Sequence, residues 1–252
     1  MTDDKLAKKT TSALVLPEFI TQGDRRGADT IGSDDLQMPR LALAQGLSPE
    51  LDPSSPKYIE DLKVGDAFNS LTGEVYGKDP IEVVIVRVDK PRYIEFDEDN
   101  RGAIIDFNVP ANDPRTQFTT NTKGDTVKPI ATQFREYVAL ILPSKEPIAL
   151  SFKGAGLKVA KTLNGLIRLA NLPAFALRYV LTPAIMKDAK SGGTYSVFAV
   201  KYSAKTEGQA RPFVDQETFE LAGNLYESIK DRALVPESRE EDDEPLAKDT
   251  PF

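Results

Sequence analysis

The sequence contains no cysteine and no histidine among its 252 residues. Without cysteine there is neither a disulfide framework nor a thiolate nucleophile, and this composition fits a reducing compartment. The usual zinc sites, the Ser-His-Asp triad and imidazole acid-base catalysis are excluded as well. Only carboxylate, lysine, tyrosine or Mg-dependent chemistry remains, so we expect a protein that is not an enzyme and binds no metal and no cofactor.

Long apolar runs are also lacking. No run approaches the roughly 20 residues that a membrane-spanning helix needs, and the first residues are acidic and polar rather than those of a secretory signal. The content of 40% apolar and 28% charged residues is typical of a globular protein. We therefore expect a cytoplasmic protein with no membrane partner.

The net charge of −7 conceals a strong segregation of charge along the chain. Residues 123–211 hold 14 basic and 5 acidic side chains, a net +9, whereas residues 1–122 carry a net −8. Residues 237–252 hold 7 acids against 2 bases and few apolar side chains. Because such a segment cannot bury enough surface to offset its ordering entropy, we predict a solvated acidic tail beside a cationic body.

The tail ends in Asp249-Thr250-Pro251-Phe252, which places an aromatic ring and a terminal carboxylate on one residue. A basic pocket with an apolar floor can bind that pair. This ending resembles the acidic C-terminal tails of the single-stranded DNA-binding proteins of bacteria and phages, which end in Asp-x-Pro-Phe or a similar tip. The resemblance implies that replication or recombination proteins are recruited through the tail residues Asp242, Asp243, Asp249, Pro251 and Phe252.

The resemblance covers only the tail, but it also bears on the rest of the protein. It implies a body that coats single-stranded DNA largely without sequence preference, in a bacterial cell or a phage-infected host. It further implies a homodimer, because members of the family commonly form oligomers. The body has no motif of the bacterial housekeeping members, so a divergent phage version fits better.

The order of patterns along the chain predicts the architecture. We expect a partly disordered N-terminal arm over residues 1–56, a body over 57–235 and a disordered acidic tail over 236–252. Alternating and β-branched runs predict strands at 81–88, 92–96, 103–107, 133–142, 147–153, 175–181 and 195–202. Apolar spacing predicts helices over 155–171 and from Asp215, as N-cap, to about residue 232. Residues 109–130 are predicted to form a long loop.

These elements predict a mainly β fold with a few helices, in the α+β class. Antiparallel hairpins with one inserted helix suit an antiparallel OB-like barrel, the barrel that most often holds single strands. A β-sandwich with helices is an alternative that the spacing does not exclude.

Single-strand binding requires cations that follow phosphates and flat rings on which bases stack. The basic middle of the chain interleaves the two residue types, and an earlier cluster near residue 90 extends the track. Phe134, Phe152 and Phe198 are expected in the core, whereas Tyr195, Lys201 and Arg178 are expected to face outward. The predicted DNA-binding residues are Arg87, Lys90, Arg92, Tyr93, Arg135, Tyr137, Lys153, Lys158, Lys161, Arg168, Arg178, Tyr195 and Lys201.

The segment from Gly154 to Thr162 has some features of a phosphate loop but matches neither a Walker A nor a dinucleotide-binding pattern, since Ala160 and Val159 stand where glycines are required. It is better described as a glycine turn that enters a helix. The helix N-terminus, with Lys153 and Lys158, can still hold one backbone phosphate.

The leading hypothesis is a non-enzymatic protein that binds single-stranded DNA and recruits partners through its tail. The alternative is a phage assembly or regulatory protein that does not bind nucleic acid and uses the acidic tail for solubility or as a DNA mimic. A third hypothesis, a Mg-dependent carboxylate enzyme acting on nucleic acid, requires several carboxylates to converge in one cleft.

Overall fold

The computed structural model describes residues 38–97, 103–187 and 192–231. The two helices of this part are α1 (Leu157–Ala170) and α2 (Gln216–Ile229). The strands are β1 (Arg40–Leu43), β2 (Ala67–Asn69), β3 (Val75–Gly77), β4 (Ile81–Val88), β5 (Arg92–Phe96), β6 (Ile104–Asp106), β7 (Thr119–Thr120), β8 (Thr126–Val127), β9 (Ala131–Ile141), β10 (Glu146–Lys153), β11 (Arg178–Lys187) and β12 (Thr194–Tyr202).

Ten of these strands form one curled sheet. Its order is β12-β11-β4-β9-β10-β1-β2-β3, with β5 paired to β9 and β6 paired to β5. The pairs are antiparallel except for β1 and β10, which run parallel. The predicted mainly β fold with a few helices is therefore confirmed, and the sheet has the shape of a half-barrel.

The two helices cover opposite faces of the sheet centre. Along β9, Tyr137 and Ala139 pack in one core with Val159 and Leu163 of α1. The alternating residues of β9 and β4 pack in a second core with α2, centred on Ala222. Because both faces are covered, the middle of β4 (83–86) and the end of β9 (137–141) are continuous apolar runs rather than alternating ones.

Helix α1 lies on the inside of the curl. It contacts the neighbouring strands β9 and β10 and also β12, which lies three places from β9 in the strand order. Two tyrosines fasten it there: the Tyr137 hydroxyl donates to Asn164 Oδ1 at 2.9 Å and the Tyr202 hydroxyl donates to the Leu166 carbonyl at 2.6 Å. The curl of the sheet therefore fixes which face of α1 is left at the surface.

The side chain of Gln45 joins the two limbs of the curl. Its Nε2 donates to the Ser196 carbonyl at 2.9 Å, and its Oε1 accepts from the Ser196 N–H at 3.0 Å. Among the residues that the structure describes, the end strands β12 and β3 do not pair with each other. The two limbs are thus joined at this point by hydrogen bonds from one side-chain amide rather than by pairing between strand backbones.

Both predicted helices are confirmed within a few residues of their expected bounds. Asp215 caps α2 as predicted, since its Oδ1 accepts from the Thr218 N–H at 2.8 Å. This hydrogen bond lowers the pKa of the Asp215 carboxyl from its ordinary value. No helix in the described ranges is both long and apolar enough to cross a membrane.

Two segments differ from the expected layout. Strand β1 lies within residues 1–56, which were assigned to an arm, yet it pairs with β2 and β10, and the compact unit begins at Met38. The region expected to be a long loop contains the small separate hairpin β7–β8. The predicted hairpin tip at 98–102, the arm up to residue 37 and the tail lie outside the described residues.

An arginine clamp holds the root of the β7–β8 hairpin. The Arg115 guanidinium contacts Glu95 of β5 at 2.6 Å, Asp106 of β6 at 3.1 Å and Asp113 at 2.8 Å. The hydrogen bonds from Arg115 lower the pKa of the Asp113 carboxyl to about 2. One cation thereby bridges three carboxylates and offsets part of their mutual repulsion.

Candidate nucleic-acid interface

The structure separates the predicted cations into two groups. Arg87, Arg92 and Arg178 are each held by a carboxylate, Asp89, Glu136 and Glu82 respectively. A second group has no ion-pair partner within the described part of the chain: Lys90, Arg135, Lys158, Lys161, Arg168 and Lys201. Only cations of the second kind are open to a polyanion without first breaking an internal salt bridge.

Several predicted residues meet at one corner, where β9 begins, β10 ends and α1 starts. In the β9–β10 ladder Lys153 lies opposite Phe134 and Arg135 lies opposite Phe152. Only three residues, 154–156, separate Lys153 from α1, which carries Lys158 in its first turn. Arg135, Lys153 and Lys158 are therefore close along the backbone, although Arg135 points to the sheet face of Phe152 and α1 and Lys153 points to the opposite face, that of Phe134.

Aromatic rings accompany the cations at this corner. The ammonium of Lys153 lies 5.5 Å from the centroid of the Phe134 ring and 6.0 Å from that of Phe96. The two rings are themselves 6.1 Å apart. Beside them, the Arg92 guanidinium lies 4.8 Å over the ring of Phe107, a residue that is 39% exposed. We call Phe96, Phe107 and Phe134 the ring cluster, in which Phe134 is buried, as predicted, and Phe107 is the exposed member.

The N-terminus of α1 carries no negative charge of its own. Its N-cap is Gly156, which makes no side-chain cap hydrogen bond, and the first turn contains no acid. The helix α2 is the opposite case, because Asp215 caps it and Glu217 lies in its first turn. Since the positive end of a helix dipole favours anions, the start of α1 adds to the field of Lys153 and Lys158.

Gly154 makes the sharp entry into α1 possible. Its φ is +54°, which lies in the left-handed region where glycine has no steric penalty. The chain turns there from β10 directly into the 3-10 turn Gly154–Gly156 and then the helix. The glycine is thus explained by backbone geometry rather than by a phosphate-loop motif, in agreement with the sequence interpretation.

The outer face of α1 is a cationic stripe. Lys158, Lys161 and Arg168 are all exposed, and the helix contains no acidic residue. At 3.6 residues per turn these three side chains lie on the face opposite the buried Val159 and Leu163. The stripe runs about 15 Å along the helix axis, at 1.5 Å per residue.

Two predicted binding residues are corrected by the structure. Tyr137 is 0% exposed, and its hydroxyl is bonded to Asn164, so its ring is not available for base stacking. Burial raises the pKa of Tyr137 to about 12. Arg87 is 6% exposed and joins Asp89 to the carbonyl of Ile229 at the end of α2. Both side chains belong to the packing of the domain.

Arg178 and Arg92 lie nearer the surface but also have internal partners. Arg178 binds Glu82 at 3.0 Å and donates to the carbonyls of Phe213 and Ala204 at 3.2 Å. Arg178 was expected to face outward, and its side chain is partly exposed between the buried Leu177 and Tyr179, but these internal partners hold it. Burial, with the nearby Arg40, lowers the pKa of Arg92 from its ordinary value.

The remaining predicted residues lie away from the corner or at its margin. Lys90 is exposed in the turn between β4 and β5, and Tyr93 is half-buried on β5. Phe198 is buried as predicted, so Tyr195 and Lys201 lie on the other side of β12. That side faces away from α1, and the structure does not bring these two residues to the stripe.

An open cleft of about 1160 Å³ lies between the β4–β5 turn and α2. Its walls hold four cations and four acids, and three of the cations are already bonded to acids: Arg87 with Asp89, Arg92 with Glu136, and Lys230 with Glu227 at 2.7 Å. An ion-paired wall of this kind offers little net attraction to a polyanion. We therefore place the candidate interface at the corner and the stripe instead.

Sequence reasoning missed Phe96 and Phe107, because rings that flank a hairpin resemble ordinary strand residues. The register of β5 with β9 is what brings Phe96 to Phe134, and register is not readable from one strand alone. The predicted partner residues from Asp242 to Phe252 lie outside the described residues. Within the described ranges, no group of three or more carboxylates has the arrangement of a metal site.

Comparisons with known proteins give one match. A family model described as Pam3 phage gp34-like protein matches residues 8–235, which is most of the chain. No curated protein and no solved structure matches the chain.

Proposed function

The chain belongs to the Pam3 phage gp34-like protein family, and from this premise we propose that it is a phage protein that binds single-stranded DNA. Binding is largely independent of sequence and serves phage DNA replication or recombination. The protein acts by binding rather than by catalysis. The corner at α1, the stripe and the ring cluster form the binding surface.

One observation carries this proposal. Three cations without an ion-pair partner within the described residues, Lys158, Lys161 and Arg168, lie on α1, and the helix contributes no acid. Elsewhere in the described chain several cations are held by carboxylates, as Lys145 is by Glu217 at 2.9 Å. Because like charges on one helix destabilise it, an uncompensated stripe is best explained by an anionic ligand.

The rings favour a single strand over a duplex. Stacking requires unpaired bases, and Phe107 exposes part of its ring beside Arg92, which lies on the sheet face of Phe134. Cations that follow the backbone and rings that receive bases are the two components of sequence-tolerant single-strand binding. The curled sheet with α1 on its inner face also supports the OB-like barrel as part of this proposal.

The acidic tail has two roles in the proposal. Its Asp-x-Pro-Phe ending, Asp249 to Phe252, recruits replication or recombination proteins. Its net charge of −5 over residues 237–252 also competes with DNA for the cationic surface. Both effects weaken as salt rises.

The test is a titration of fluorescently labelled oligo-dT with two proteins, the full chain and a version that ends at Pro236. We expect both to bind at low salt, the shortened protein more tightly, and both to weaken as salt rises. Labelled duplex of the same length serves as the control and should bind less tightly than oligo-dT.

The outcomes separate the hypotheses. If neither protein binds oligo-dT even at low salt, single-strand binding fails, and a phage assembly or regulatory role without nucleic acid replaces it. If duplex and single strand bind equally, the rings have no part in recognition. If removal of the tail leaves affinity unchanged, the tail does not compete for the surface.

A further inference from the structure

Gly165 occupies a helix interior where nothing in the domain requires a glycine. It lies in the middle of α1, its φ is not positive, and an added Cβ would meet no atom of the described residues within 4 Å. Glycine in a helix interior is less favourable than alanine, since it loses more backbone freedom on folding. The domain therefore has room for a side chain at a position where one would stabilise the helix.

The position of Gly165 on the helix is informative. It follows Lys161 by four residues and precedes Arg168 by three, so it lies in the middle of the cationic stripe. Leu169, one turn further on, is 77% exposed. The stripe thus has a bare backbone at its centre, cations on either side and an apolar side chain next to it.

We propose that a nucleic-acid strand crosses α1 at Gly165, with its backbone in contact with the helix backbone. Lys161 and Arg168 bind the phosphates before and after the crossing, and Leu169 packs against a sugar or a base. Absence of a side chain is required for this close approach, which is a common use of glycine next to a ligand. The inference rests on the proposed function and adds the point of closest contact.

A second copy of the chain is the other occupant that a glycine on a helix face suggests. Close packing of two α1 helices at Gly165 would bring Lys158, Lys161 and Arg168 of each copy together. Since the helix has no acid with which to pair them, such a contact is repulsive. The charge of the stripe favours a polyanion.

The test compares Gly165→Ala with Gly223→Ala in the full-length protein. Gly223 lies inside α2, where an added Cβ would make only ordinary contact with the Phe175 ring at 3.9 Å, away from the stripe. Both variants should melt about 2 to 4 °C higher than the wild type because alanine is the better helix former. Only Gly165→Ala should weaken binding to labelled oligo-dT, by about tenfold, comparable to losing one charge-assisted hydrogen bond.

The possible results distinguish this inference from the proposed function. If the wild type does not bind oligo-dT, the proposed function itself fails. If the wild type binds and both alanine variants bind equally well, the crossing at Gly165 is refuted while single-strand binding stands. A Gly165→Ala protein that melts lower shows that Gly165 has a packing role. One that changes its sedimentation while keeping its affinity shows a role in self-association. Either result also overturns the inference.

Discussion

Removing the charge of the cationic stripe should weaken DNA binding and stabilise the fold at the same time. The perturbation is the triple variant Lys158→Gln, Lys161→Gln and Arg168→Gln. None of the three side chains has an ion-pair partner within the described part of the chain, and all three are exposed. Glutamine keeps the length and the helix propensity close to those of lysine.

The magnitude on binding comes from counterion release. Each phosphate contact to a single strand contributes about 0.7 to the slope of log K against log salt, so three lost contacts lower the slope by about 2. Relative to about 1 M salt, where this contribution vanishes, the loss at about 0.1 M salt is roughly hundredfold in affinity. At high salt the variant and the wild type should converge.

The effect on stability has the opposite sign. Lys158 and Lys161 are like charges three residues apart, and Lys158 also faces the positive end of the helix dipole. Removing these repulsions should raise the free energy of unfolding by about 0.5 kcal/mol. A variant that binds less tightly and is no less stable cannot be explained by damage to the fold.

The assay is fluorescence anisotropy of labelled oligo-dT over a series of salt concentrations, with urea unfolding in parallel. The matched control is Lys145→Gln with Lys230→Gln, because these lysines contact Glu217 at 2.9 Å and Glu227 at 2.7 Å. The control should leave the salt slope unchanged and cost little stability, because exposed ion pairs are screened by solvent. An unchanged slope in the triple variant, with a wild type that binds, would refute the assignment of the stripe.

Two further predictions concern the core and the arginine clamp. Tyr137→Phe should lower the free energy of unfolding by about 1 kcal/mol, because the Tyr137 hydroxyl bonds Asn164 at 2.9 Å. The substitution should not change the affinity for oligo-dT. A loss of affinity at unchanged stability would contradict the burial of this ring. The Asp113 carboxyl has a pKa of about 2 against an ordinary 3.8, so its contribution to stability is present above about pH 4 and is lost as the pH falls through 2. A carbon-detected NMR titration of the Asp113 carboxyl should show a midpoint at this pKa, and Arg115→Gln should move that midpoint back towards 3.8. A midpoint near 3.8 in the wild type would show that the clamp does not form.

Local patterns alone predicted most of the secondary structure. The apolar spacing from Leu157 to Ala170 and the capping residue Asp215 predicted the two helices, since both depend on residues a few positions apart. The strands β4, β9, β10 and β12 were predicted for the same reason. The hairpin β7–β8 was missed because its short polar strands lack the apolar alternation that marks a strand.

The candidate site was only partly predictable. Composition marked residues 123–211 as cationic, and five of the predicted residues there, Arg135, Lys158, Lys161, Arg168 and Lys201, remain without an ion-pair partner in the described chain. The sequence alone could not distinguish these unpaired cations from Arg87 or Arg178, because the carboxylate partners of those two arginines are set by a turn and by strand pairing. Tyr137 was misassigned because its burial depends on α1 packing over the sheet.

The sequence by itself determined the classes of chemistry that are open to the protein, the position of its helices, the segregation of its charge and the acidic ending of its tail. Each of these is a property of composition or of residues close together in the chain. Only the tertiary structure decided which cations are neutralised, which rings meet and which face of α1 is exposed. Those features depend on strand register and on the curl of the sheet, which place residues such as Phe96 and Phe134 side by side across 38 positions of sequence.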